Sequence, residues 1–219
     1  APPTTAPPSA SITPSPGSPT APPASAYELV ELDVPAGARP HDVAPNKAGT
    51  VWYTGQGNGT LGRLFSATGE VIEIDLGPGS APHGVIADSP DGSVWVTDSG
   101  RNEIQRINPS TLEITRYPLP GPDVNLNTAT IDVNGFVWFT GQAGYYGRVD
   151  PVSGEVEVFE APRGPGPYGI DATPEGRQVW FVSLAGSYLA QIDLETGEAT
   201  VHDPPTASSG TRRVWSDSR

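Results

Sequence analysis

Thr50-Val51-Trp52-Tyr53-Thr54 returns three more times along the chain, as Ser93-Val94-Trp95-Val96-Thr97, Phe136-Val137-Trp138-Phe139-Thr140 and Gln178-Val179-Trp180-Phe181-Val182. The four tryptophans stand 43, 43 and 42 residues apart. A fixed period of this size, written in short β-branched and aromatic runs, is the signature of a repeat architecture made of small sheets. Downstream of each tryptophan a second column recurs: Gly62-Arg63-Leu64, Gln105-Arg106-Ile107, Gly147-Arg148-Val149 and Ala190-Gln191-Ile192. Three of the four units continue into a turn, Thr68-Gly69-Glu70, Ser153-Gly154-Glu155 and Thr196-Gly197-Glu198. Asp91-Gly92, Asn134-Gly135 and Glu175-Gly176 precede the tryptophan strand, and these are tight-hairpin residues.

Each unit therefore reads as four antiparallel strands, in the second repeat near residues 83–87, 93–97, 103–107 and 113–118. Such a sheet has two apolar faces and no partner of its own. Stacking it against its neighbours around an axis buries both, so the predicted fold class is all-β, a β-propeller of four-stranded antiparallel blades with a tryptophan wedged between successive blades. The arginines of the second column recur too regularly to serve one site, and read as hydrogen-bond donors from blade to blade.

Blades are expected near residues 36–76, 77–119, 120–161 and 162–203, with a partial fifth at 204–219. The segment 27–35, Tyr27 to Pro35, matches the fourth strands of the other units and reads as an outer strand that closes a blade. About four and a half blades of a probable seven are expected, as in a truncated chain. Residues 1–26 hold nine prolines, no charge and one large aliphatic residue, Ile12. That composition cannot bury enough apolar surface to offset its ordering entropy, and predicts a disordered Pro/Ser/Thr-rich leader.

Composition excludes several functions. Twelve basic against 25 acidic residues leave a formal charge of −13, a field that repels a phosphate backbone, so no nucleic acid partner is expected. No apolar run approaches the ~20 residues of a membrane span. The absence of cysteine removes disulfides, thiolate metal sites and a Cys nucleophile. A chain that opens on Ala1-Pro2-Pro3 with a low-complexity tether predicts an exported bacterial protein: secreted, periplasmic or tethered to the cell surface.

The first strands of a propeller line its central channel. Their entrances read Ala38-Arg39-Pro40-His41-Asp42-Val43, Ser80-Ala81-Pro82-His83-Gly84-Val85, Asn125-Leu126-Asn127-Thr128-Ala129 and Gly166-Pro167-Tyr168-Gly169-Ile170. With Trp-aromatic-Thr and Gly-Arg-aliphatic following, this pattern closely resembles the virginiamycin B lyase, or streptogramin lyase, family over residues 27–219. The resemblance implies a seven-bladed propeller that opens a cyclic depsipeptide by elimination across an ester C–O bond with the aid of Mg²⁺, and so a role in antibiotic resistance. It also implies a small-molecule or cyclic peptide ligand and a monomer at full length. His41 and His83 match the family's two histidines and are the candidate catalytic bases. Asp98 stands where an acid follows the tryptophan strand, and is the candidate metal ligand. The family's Glu before the second histidine is Ala81 here, and the paired histidines lie in the earliest blades present rather than the last two.

Tyr168 is a candidate to stack on a ligand ring. Gln56 and Gln142, in a repeated Thr-Gly-Gln, are candidate channel-mouth amides for a polar ligand, and Arg212, in the His83 column, is a candidate to face an anion. His202 reads as a solvated surface residue. Two other functions fit the same residues: a lactonase-like propeller hydrolase with a central Ca²⁺, for which Asn125 and Asn127 are possible ligands, and a non-enzymatic extracytoplasmic binding or scaffold propeller.

Overall fold

A computed structural model describes residues 28–217. The expected leader over 1–26 lies outside these. The chain divides into two units, residues 1–32 and 33–219, and every strand belongs to the second. Within it, four antiparallel sheets follow one another. The first holds β1 (Pro40–Pro45), β2 (Thr50–Gly55), β3 (Thr60–Phe65) and β4 (Glu70–Asp75), and the second β5 (Pro82–Ile86), β6 (Val94–Asp98), β7 (Glu103–Ile107) and β8 (Ile114–Pro118). The third holds β9 (Leu126–Ile131), β10 (Val137–Gly141), β11 (Tyr145–Val149) and β12 (Val156–Glu160), and the fourth β13 (Pro167–Ala172), β14 (Val179–Ser183), β15 (Tyr188–Ile192) and β16 (Ala199–His202). Each sheet is a simple meander in sequence order. First strands lie beside first strands, β1 next to β5, β5 next to β9 and β9 next to β13, which is the radial stacking of propeller blades.

Three apolar layers lie between the blades. Trp52, Leu61, Ile74 and Leu76 of the first blade meet Val94, Val96 and Ile107 of the second. Trp95, Ile104 and Tyr117 meet Leu126, Val137, Phe139 and Val149 of the third, and Trp138 and Tyr146 meet Val179, Phe181 and Tyr188 of the fourth. Trp52, Trp95 and Trp138 are buried, as expected. Trp180 is only half-buried, because no sheet among the described residues covers its face.

The arginine column has a second use that sequence reasoning missed. Strand register sets Arg63 opposite Trp52, Arg106 opposite Trp95 and Arg148 opposite Trp138. The guanidinium carbons lie 5.1, 5.7 and 5.2 Å from the indole centroids, within cation–π range. Arg63 also donates to the Pro109 carbonyl and Arg148 to that of Leu194, each one blade on. Arg106 corrects the expectation: it donates to Ser93 and Asp91 of its own blade, where a turn carboxylate is nearer than the next carbonyl.

Two further expectations change. Residues 28–35 form no strand. Apolar alternation makes a strand only where a neighbouring strand takes up the backbone donors and acceptors, and no described sheet does so here. The turn column is complete in all four blades, because Leu112 stands in the second where the others carry Gly69, Gly154 and Gly197. All four have positive φ, 61° at Leu112 and 73, 80 and 79° at the glycines. The Leu112 amide closes the same turn onto Asn108.

These observations give two stability predictions, both readable by urea denaturation. Trp95→Ala costs about 3 to 5 kcal/mol, whereas Trp180→Ala costs less than half of that. Leu112→Gly stabilises the fold by about 1 kcal/mol, since the side chain lies on the surface and the left-handed backbone strains any residue with a Cβ.

Candidate functional site

Every pairing of the first two strands in a blade carries a register shift at the strand entrance, between Pro40 and Val43 in the first blade and between Pro82 and Val85 in the second. The third and fourth blades repeat it. In the gap, a threonine of the tryptophan strand takes over the ladder's work. Thr97 Oγ1 accepts the Gly84 amide at 2.7 Å and donates to the Asn127 carbonyl of the next blade at 2.5 Å. Thr54 likewise accepts from the Asp42 amide and donates to the His83 carbonyl at 2.8 Å, while Thr140 and Thr128 both donate to the Tyr168 carbonyl. Close approach follows: a Cβ on Gly84 would lie 2.8 Å from the Asn127 carbonyl oxygen.

One side chain per blade occupies the position after the entrance residue: His41, His83, Asn127, Tyr168 and Arg212. The structure brings four of these together. The His41 and His83 ring centroids are 3.8 Å apart at 46°, and Tyr168 meets His83 edge-on at 6.3 Å. Arg212 lies 5.0 Å over the Tyr168 ring and donates from Nη2 to its hydroxyl at 3.0 Å. Arg213 is 3.9 Å from the Asp42 carboxylate.

His41 faces solvent and His83 is buried, 6% exposed. Burial first, then the facing His41 and the charges of Arg213 and Arg212, push the His83 imidazole down to about 4, against a smaller opposing effect of the Asn127 backbone. His83 is therefore neutral across the physiological range, and its Nδ1 has no hydrogen-bond partner among the described residues.

The remaining candidates lie elsewhere. Gln56 and Gln142 follow β2 and β10, and neither side chain makes a hydrogen bond among the described residues. The backbone of Gln142 ties Asn125 to Gly166. Asp98 is completely buried, and its carboxylate accepts from Ser80 Oγ, Gln105 Nε2 and the amides of Ala81, Gly100 and Arg101. It fastens the turn after β6, and both its oxygens are already surrounded by donors of the chain.

Mg²⁺ requires a near-octahedral set of oxygen ligands, usually carboxylates. The described residues do not fit it. Ala81 supplies no ligand, Asp98 is saturated, and the groups that do converge are two imidazoles beside two guanidinium groups. No set of three His, Cys, Asp or Glu that could hold a metal exists among the described residues. For Ca²⁺, Asn125 is exposed, with its backbone amide donated to the Asp123 carboxylate, while Asn127 is buried with both side-chain amide atoms unpaired.

Asn127, read from the sequence only as a possible Ca²⁺ ligand, is the buried residue of this column in the third blade. Its one signal was position, since Leu126-Asn127-Thr128 occupies the register of Pro82-His83-Gly84 with different residue types.

Radial four-stranded sheets with one inward column define a β-propeller. A family model described as the virginiamycin B lyase family matches residues 85–216, more than half the chain, and the chain belongs to that family. Among solved structures, it is similar to a catalytically inactive histidine-to-alanine virginiamycin B lyase from Staphylococcus aureus with quinupristin. That match has 29% identity and a TM-score of 0.72, over 85% of this chain and 61% of the other. A streptogramin B lyase structure matches at 24% identity and TM-score 0.76, over 84% and 61%. The extracellular domain of BT4673 from B. thetaiotaomicron shares the fold at 18% identity and TM-score 0.61, over 80% and 24%. The chain thus spans about three fifths of the length of the lyase structures it matches. A comparison with curated protein sequences gave no match.

The low pKa of His83 has a sign that can be checked. Below about 6.5 the unfolded chain binds a proton that the folded one refuses, so His83 subtracts stability as pH falls from about 6.5 towards 4. Between pH 7 and pH 5 the expected loss is about 2 kcal/mol. Urea denaturation at the two pH values should show that much less pH dependence in His83→Phe than in the parent.

Proposed function

We propose that this chain carries the active centre of a carbon–oxygen lyase that opens a cyclic depsipeptide at its ester by elimination. The observation that supports this reading above the others is the His41–His83 pair, two imidazoles from consecutive blades in contact on the propeller axis. Membership of the virginiamycin B lyase family supplies the class, and the S. aureus relative described as inactive is a histidine-to-alanine variant.

Elimination needs a base and a route for charge. The exposed His41 imidazole takes a proton from the carbon next to the ester-bearing carbon. The C–H electron pair forms a C=C bond, the C–O bond breaks, and its pair leaves on the carboxylate oxygen. His83, neutral and packed against His41, holds that ring in place without competing for the proton. Tyr168 offers an aromatic face beside them for a ring of the ligand. Magnesium has no step in this account, because the described residues give it no ligand set. An exported location belongs to this reading, as the composition of residues 1–26 leads one to expect.

Incubating the protein at its natural length with a type B streptogramin tests the reading by mass spectrometry. Elimination yields a linear product of unchanged mass, whereas hydrolysis by a lactonase-like enzyme adds one water. The His41→Ala/His83→Ala double variant should lose a factor of about 10² to 10⁴ in rate. Equal product from that variant, or a product heavier by water, refutes the proposal.

A further inference from the structure

The charge around the histidine pair points to what replaces a metal in this chain. Resting on the lyase reading above, we infer that the carboxylate released by ester cleavage is received by the Arg212 guanidinium, supported by Arg213, and that the reaction needs no divalent cation. Four observations carry this. Arg212 occupies the same column as His41 and His83 and is stacked on Tyr168, the ring that also meets His83. Only one of its donors is engaged there, the Nη2 that reaches the Tyr168 hydroxyl, which leaves the rest of a planar fork suited to bidentate capture of a carboxylate.

The segment bearing both arginines is also held in place. The Arg212 carbonyl accepts the Gly169 amide, Thr211 Oγ1 donates to the carbonyls of Ser183 and Tyr188, and the Ser216 amide donates to Asp171. A guanidinium fixed in this way stabilises developing negative charge without reorganising during the reaction. Finally, the carboxylates a cation needs are absent from the column: Ala81 offers none and Asp98 is consumed by its turn. Asp42 lies 3.9 Å from Arg213 and holds it loosely, while the Arg212 guanidinium stays on the Tyr168 ring.

The step balances without another reactant. The proton goes to His41, the C–O electron pair goes to the carboxylate oxygen, and that oxygen accepts N–H donors from Arg212. An aromatic carboxylate should therefore mimic the product, with its ring on Tyr168 and its charge on Arg212.

The probe is phenylacetate, with phenylacetamide as its uncharged counterpart, titrated by NMR into the natural-length protein and its Arg212→Gln and Arg212→Lys variants. Phenylacetate should bind at least tenfold more tightly than the amide. Arg212→Gln should abolish that preference, and Arg212→Lys should keep part of it. In turnover of a type B streptogramin after exhaustive EDTA treatment, the parent should retain its rate, and Arg212→Gln should lose about 10²-fold in kcat with little change in KM. Equal binding of the two probes to the parent overturns the inference. So does a carboxylate preference that survives Arg212→Gln, or activity that EDTA removes and Mg²⁺ restores. If no streptogramin is turned over but phenylacetate still discriminates through Arg212, the carboxylate site stands and the lyase reading falls.

Discussion

A four-stranded sheet of this size cannot hide two apolar faces, and everything in the structure follows from the way neighbouring blades hide them for one another. The indoles of Trp52, Trp95 and Trp138 fill the space between successive sheets. Each is met from the facing strand by an arginine whose charge lies over the ring. The arginine does two opposite things at once: its stem and plane cover the indole, and its head stays within reach of a carbonyl or carboxylate. That allows a charged residue to stand next to a core without a stranded charge. The fourth blade shows what happens without the pairing, since Gln191 faces Trp180 and the indole leans instead on Gln178 and His202.

Blade packing also makes the site. Close approach at the axis forces the entrance of each first strand out of its ladder, and the threonine hydroxyls of β2, β6 and β10 bridge the resulting gap to the next blade. The residue at the entrance is thereby held at both its own blade and its neighbour. His83 is placed by Thr54 of the preceding blade, Asn127 by Thr97 and Tyr168 by Thr140. A reactive group on such a strand has little freedom, and this is how two imidazoles that repel each other when charged can be kept in contact.

How much of this the sequence disclosed depended on whether the cause was repeated. Blades, strand positions and the inter-blade tryptophans were legible because the same solution is written four times. The column of His41, His83, Tyr168 and Arg212 was legible for the same reason, as an alignment of unit entrances. What escaped reading was decided by single contacts. The surroundings of Asp98 were not legible, because its donors come from Ser80, Ala81, Gly100, Arg101 and Gln105, scattered residues that only the folded turn assembles. Leu112 concealed its turn by lacking a glycine, and residues 28–35 showed the alternation of a strand without a partner to pair with. Asn127 differed in type from its column mates, so position alone marked it.

The electrostatics of the axis then follow from one asymmetry. The chain as a whole is strongly acidic, yet its inward column carries two imidazoles and a guanidinium and no carboxylate side chain. Burying His83 among these groups makes an imidazolium costly there. The charges of Arg213 and Arg212, which add to the larger effects of burial and His41 on His83, also favour any negative charge that appears beside it. In the proposed elimination, one field serves both steps, proton removal at the solvent-facing ring and anion release on the tyrosine-backed guanidinium. A divalent cation added to that neighbourhood would meet two guanidinium groups and, among the described residues, no set of three His, Cys, Asp or Glu ligands. The loss of the acid at Ala81 and the presence of arginine at position 212 are thus two sides of a single electrostatic arrangement.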